Sequence, residues 1–155
     1  MNDEAKQRYA LHHLALLDME RVVSSMDLLA SFDDKHVREA LFRDAVVSYA
    51  KPFSNNRGLA GSGGLRVDDS YISVSLRSVH KEVLALRNQL FAHMDIDRQA
   101  PDVSVELIDG EKEVIFSVTG YGRVFTEHLI EPLRALAEHA HSSFMDQLDT
   151  IKRDA

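Results

Sequence analysis

Three residues near the middle of the chain carry side chains suited to chemistry on a phosphate. They lie in Arg87-Asn88-Gln89-Leu90-Phe91-Ala92-His93. An imidazole exchanges protons near neutral pH. A guanidinium stays charged and grips phosphate oxygens in a fork. An amide donates and accepts at once, so Asn88 could orient its neighbour. Together they suit metal-free cleavage of RNA by its own 2′-hydroxyl, in which His93 moves a proton and Arg87 steadies charge on phosphorus.

These residues must be positioned by the helix that precedes them. Ile72, Leu76, Val79, Val83, Leu86 and Leu90 recur at alternating spacings of four and three, which predicts a helix over about 70–93. Three further residues along the same seam is His93. Arg87 lies beside the seam, and His80 lies two turns before it on nearly the same face. Positions 87 and 93 are about 120° apart around an ideal helix. They converge only if the helix end deviates, or if a second copy of the chain supplies part of the site across a two-fold axis.

Other periodic stretches build the frame. A first helix is predicted over about 3–32, with Ala15, Met19, Val22, Met26 and Leu29 on one stripe. Asp33-Asp34 can cap a second, over about 35–50, whose stripe is read as Val37, Leu41, Ala45 and Tyr49 or Val46, and which Pro52 ends. Gly58-Leu59-Ala60-Gly61-Ser62-Gly63-Gly64 reads as a connector, because no Gly-Lys-Ser/Thr follows it. Asp68-Asp69-Ser70 offers a cap to the third helix. The period then changes to two. Val103, Val105 and Leu107 precede Asp109-Gly110, a type I′ turn signal, and Val114, Phe116 and Val118 follow it. The turn pairs Val105 with Val114 and Val103 with Phe116, and a hairpin so small should pack on the helices. A last helix is predicted over about 124–151, with Leu129, Leu133, Leu136, Ala140, Phe144, Leu148 and Ile151 inward and Pro132 kinking it or marking its start. The fold class is therefore mainly α: a single domain over 1–155, with about four long helices and one hairpin (about 103–118) before the last.

Composition narrows the function classes. The chain has no cysteine, which removes disulfides, thiolate metal sites and a cysteine nucleophile, and fits a reducing cytoplasm. No apolar run approaches a membrane span, and the polar opening Met1-Asn2-Asp3-Glu4-Ala5-Lys6 does not read as a signal peptide. The net charge of −7 opposes broad nonspecific nucleic-acid binding. That charge is uneven. Residues 1–56 hold 7 basic and 9 acidic groups, residues 57–98 hold 6 and 5, and residues 99–155 hold 5 and 11, so the segment with Arg87 and His93 is the least hostile to a phosphate. His12-His13 and the pair His139 and His141 have poor ligand spacing, Asp95 and Asp97 form one acidic pair, and no Gly-x-Ser-x-Gly occurs. We expect no metal and no cofactor.

Leu86-Arg87-Asn88-Gln89-Leu90-Phe91-Ala92-His93-Met94-Asp95 resembles the signature of the HEPN superfamily, an arginine, often followed by a polar residue, and a histidine after a short gap, here five residues. The Ala-His-x-Asp ending is similar to an abortive-infection-type bacterial branch. In that branch a Tyr-Ala-Arg-Pro-Phe-like stretch precedes the motif helix, and Tyr49-Ala50-Lys51-Pro52-Phe53 is similar to it. The resemblance implies a HEPN-like up-down helical bundle that dimerises through its motif helices. It also implies a metal-independent endoribonuclease of toxin–antitoxin or phage-defence type, or a relative that only binds nucleotides or partners. Carried over residue by residue, the catalytic set is Arg87 and His93 with Asn88, and the supporting set is His80, Tyr49 and Lys51. The hairpin is an insertion relative to the minimal bundle. Asp95 stands where some toxins of the family carry a tyrosine.

The expected partners are a second copy of the chain, RNA or a nucleotide, and an antitoxin. Two plainer readings compete. In one, the same fold binds a nucleotide or partner without catalysis. In the other, His93 rests against the negative end of the helix dipole, and Arg87 makes only an ion pair in a structural dimer.

Overall fold

The computed structural model describes residues 2–55, 65–88, 101–118 and 127–154, with side-chain environments omitted at 101–103 and 116–118. Four α-helices and one hairpin follow in chain order among these residues. The first, α1, spans Asp3–Ala30. The Asn2 side chain accepts the Ala5 amide at 2.8 Å, and Asp3 and Glu4 complement the positive helix end. Its predicted stripe is buried throughout, joined by His12 and Leu16. At the far end, Arg38 donates to the carbonyls of Leu29 and Phe32, which satisfies acceptors that the helix leaves open.

Helix α2 spans Lys35–Ala50 and is capped by Asp34, which accepts the amides of His36 and Val37. Its inward face is Phe42, Ala45, Val46 and Tyr49. The expected stripe is thus rotated: Val37 is exposed and Leu41 half-buried, because the larger Phe42 takes the central core position. The helix ends before Pro52, as the restriction on the residue before proline requires.

Helix α3 spans only Arg77–Leu86. The expected start near 70 is replaced by two short 3₁₀ turns, Asp69–Tyr71 and Val74–Leu76, with Ile72 extended between them. Competing hydrogen bonds explain the delay. The Asp68 carboxylate takes the Ser70 amide, the Ser73 amide goes to His139 Nε2, and the Ile72 carbonyl accepts from Arg77. This bend still buries Ile72 completely.

Strands β1 (Pro101–Ile108) and β2 (Glu111–Val118) pair antiparallel in the expected register, Val105 with Val114 and Val103 with Phe116. Asp109 (φ 54°) and Gly110 (φ 85°) both occupy the left-handed region, as a type I′ turn demands. The expectation that the hairpin packs on the helices is not met: residues 105–115 are all exposed.

Helix α4 spans Ile130–Arg153 after a 3₁₀ turn at Glu127–Leu129. Pro132 is its third residue, where a missing N–H has no helical acceptor to lose, so it marks the start without kinking the helix. All seven predicted stripe residues are buried. Helix α1 packs along both α2 and α4, while α3 lies against α2 and α4. Among the described residues no helix is long and apolar enough to cross a membrane.

Candidate functional site

Arg87 and Asn88 stand at the C-terminal end of α3. The Arg87 amide donates to the carbonyls of Val83 and Leu84, closing the last regular turn. At Arg87 and Asn88 the backbone takes the wider π-type winding. Arg87 is half-buried and Asn88 exposed. Arg87 Nη1 donates to Asn88 Oδ1 at 2.9 Å. Among the described residues no carboxylate forms an ion pair with Arg87; its neighbour Asn88 takes one of its five donors. His93 lies outside the described residues, as do Asp95, Asp97 and the glycine-rich segment.

The supporting residues separate into two places. Tyr49 and His80 meet in the core: the Tyr49 hydroxyl lies 2.7 Å from His80 Nδ1, and the two side chains are 0 % and 2 % exposed. Phe53 closes over the imidazole edge-on at 4.7 Å between ring centroids, and also contacts Tyr49. Thus Tyr49-Ala50-Lys51-Pro52-Phe53 does adjoin the motif helix, through its first and last residues. Lys51 points elsewhere and pairs with Asp18 of α1 at 3.0 Å. Neither Tyr49 nor His80 offers a surface to a substrate, so their service to a site at Arg87 is to hold α3 in place.

The hydrogen-bond logic of His80 is one-sided. With Nδ1 accepting from the tyrosine hydroxyl, the neutral ring carries its proton on Nε2. That nitrogen is buried and has no hydrogen-bond partner. The nearest acceptor is Asp69 Oδ1 at 3.5 Å, a charge contact rather than a hydrogen bond at that separation. Burial pushes the His80 pKa below the ordinary histidine value, with Asp69 partly opposing. Burial also pushes the Tyr49 hydroxyl far up, so it stays protonated.

A second buried imidazole escaped the sequence reading. His12 Nδ1 donates to the Arg8 carbonyl at 2.8 Å, its ring meets Tyr71 and Phe144 edge-on, and its Nε2 is buried without a partner. Burial lowers its pKa as well. The signal was available: His12 falls three residues before Ala15, on the same stripe. Three further histidines engage separate partners, His139 the Ser73 amide, His141 the Glu20 carboxylate at 3.6 Å and His128 the Glu82 carboxylate at 3.2 Å. Among the described residues no three histidine, aspartate or glutamate side chains converge as a metal-binding group.

Compared with protein-family models, with curated proteins and with solved structures, the chain matches none.

Proposed function

We propose that this chain is a HEPN-type, metal-independent endoribonuclease of a toxin or phage-defence system, acting as a homodimer in the cytoplasm and restrained by an antitoxin partner. The observation that carries the reading is the state of Arg87. Its guanidinium, at the end of the motif helix, is steadied by Asn88 and carries no carboxylate among the described residues. An arginine kept for structure alone is expected in an ion pair; one kept for phosphate leaves its fork open.

In this reading His93 takes the proton of an RNA 2′-hydroxyl. The freed oxygen attacks the adjacent phosphorus, and Arg87 stabilises the charge gathering on the phosphoryl oxygens. The bond to the 5′-oxygen breaks, and the second imidazole of the dimer returns a proton to it. The products are a 2′,3′-cyclic phosphate and a 5′-hydroxyl.

The test is RNA turnover in the presence of a chelator by wild type, His93→Ala and Arg87→Lys, with the oligomeric state measured for each. Cleavage that disappears in His93→Ala and weakens in Arg87→Lys, with the dimer intact, supports the proposal. Absence of cleavage by the wild type removes it.

A non-catalytic nucleotide- or partner-binding module is the second reading, and the net charge of −7 favours it, since an acidic chain repels a polyanion. It predicts nucleotide or partner binding that depends on Arg87, with no RNA cleaved.

A further inference from the structure

A two-stranded hairpin is marginal alone and needs an apolar surface against which to pack. This hairpin is uncovered. By strand alternation Val105, Leu107 and Val114 share one face with Lys112, and the reverse face carries Glu106, Glu111 and Glu113 with Ile108 and Ile115. The three apolar side chains of the first face are all highly exposed.

The helical body presents a second uncovered apolar surface. Along the outside of α1, Leu14, Leu17, Arg21, Ser24 and Leu28 recur at spacings of three and four, opposite the face that forms the core. Its leucines and the three hairpin residues range from 47 % to 73 % exposed. The chain therefore carries two apolar stripes, neither of which covers the other.

We propose that the hairpin of one copy docks on the α1 leucine stripe of a second copy, in a reciprocal two-fold exchange of arms. Dimensions agree. Leu14 to Leu28 spans about 21 Å of helix, and an eight-residue strand spans about 26 Å. Charge agrees as well. The stripe's own single ion is Arg21, already held by Asp44, and the carboxylates of Glu20 and Asp27 border it at Ser24. The hairpin's apolar face brings one cation, Lys112, toward those carboxylates and keeps its three glutamates turned to water. Two-fold symmetry repeats the contact, so both stripes of both copies are covered and no open edge propagates a filament. This interface is independent of the ribonuclease reading.

The absence of native cysteine makes the test direct. In the full chain, Leu17→Cys with Val114→Cys, oxidised under mild conditions, should yield a disulfide-linked dimer on a non-reducing gel. An intrachain disulfide, which leaves a monomer, overturns the proposal by placing the arm on its own helix. No disulfide overturns it too. In parallel, Leu17→Asp and Val114→Asp change exposed positions and leave the core untouched, and each should weaken dimerisation at least tenfold by sedimentation. Unchanged association in both variants overturns the arm exchange, and RNA cleavage by those variants then reports on the ribonuclease reading separately.

Discussion

Replacing Tyr49 with phenylalanine removes one oxygen from the centre of the fold and leaves every ring contact in place. The residue is fully buried, and its hydroxyl supplies the partner of His80 Nδ1, at 2.7 Å. Since His80 Nε2 is already without one, the variant leaves a buried imidazole with no hydrogen bond at all. A buried polar group stranded in this way costs about 1–3 kcal/mol. For a domain of this size each kcal/mol lowers Tm by roughly 2–4 °C. Urea unfolding followed by circular dichroism gives the number. Tyr71→Phe is the control, since that hydroxyl bonds Gln147 at 3.3 Å in a half-exposed position and should change stability by no more than about 0.5 kcal/mol. A sharper arm follows from the same geometry. Adding His80→Leu to Tyr49→Phe removes the stranded group, so the double variant should be more stable than Tyr49→Phe alone. The reasoning is refuted if Tyr49→Phe matches Tyr71→Phe, or if His80→Leu deepens the loss.

Acid should act in two stages. His80 and His12 both have pKa values pushed below 6.5 by burial, so the unfolded chain binds more protons just under that pH; their contribution is complete above about 6.5 and is lost as pH falls below it. Asp34, Asp44 and Asp68 are held below 3.8, by backbone amides at Asp34, by Arg21 at Asp44 and by Ser70 at Asp68, so their contribution disappears only in a second window beneath that value. Unfolding free energy measured against pH should show both slopes, and His80→Leu should flatten the upper one. Separately, Gly110→Ala should destabilise the hairpin by roughly 1–2 kcal/mol, through the left-handed backbone alone. Its φ is 85° and a Cβ there meets nothing within 4 Å, so amide exchange should quicken in 101–118 and stay unchanged in the helices.

What could be read in the residues follows from how local the cause is. The hairpin register was legible because Asp109-Gly110 and a period of two specify it within eighteen residues. The cap at Asp34 and the stop before Pro52 are also local, and α2 has the bounds they imply. The start of α3 was not legible. Ile72 continues the apolar period, but its neighbour Ser73 spends its amide on His139, a residue 66 positions away. The rotated face of α2 has the same character: Phe42 and Leu41 are both apolar, and only the packing decides which is buried. At the candidate site, the meeting of Tyr49 with His80 lies in no spacing, since 31 residues separate them, and Lys51 and its neighbours diverge because Asp18 draws the lysine to α1.

That meeting also explains how a ten-residue helix can carry a site. A stretch as short as Arg77–Leu86 does not persist alone in water. Its order must come from contacts, and those lie on one side: Val83 and Leu86 in the common core, and His80 clasped by Tyr49 and Phe53. From His80 to Arg87 is two helical turns, about 10.5 Å, along the regular winding of α3. Under the proposed function Arg87 has to meet phosphate within a fraction of an ångström, and that requires a fixed root. The hydroxyl of Tyr49 therefore bears on Arg87 without touching it. In Tyr49→Phe, amide protection should fall first along Arg77–Leu86, while α1 and α4, joined along their lengths, keep theirs. Equal loss in all helices would show that α3 has no separate anchorage, and the link from the buried pair to Arg87 would fail with it.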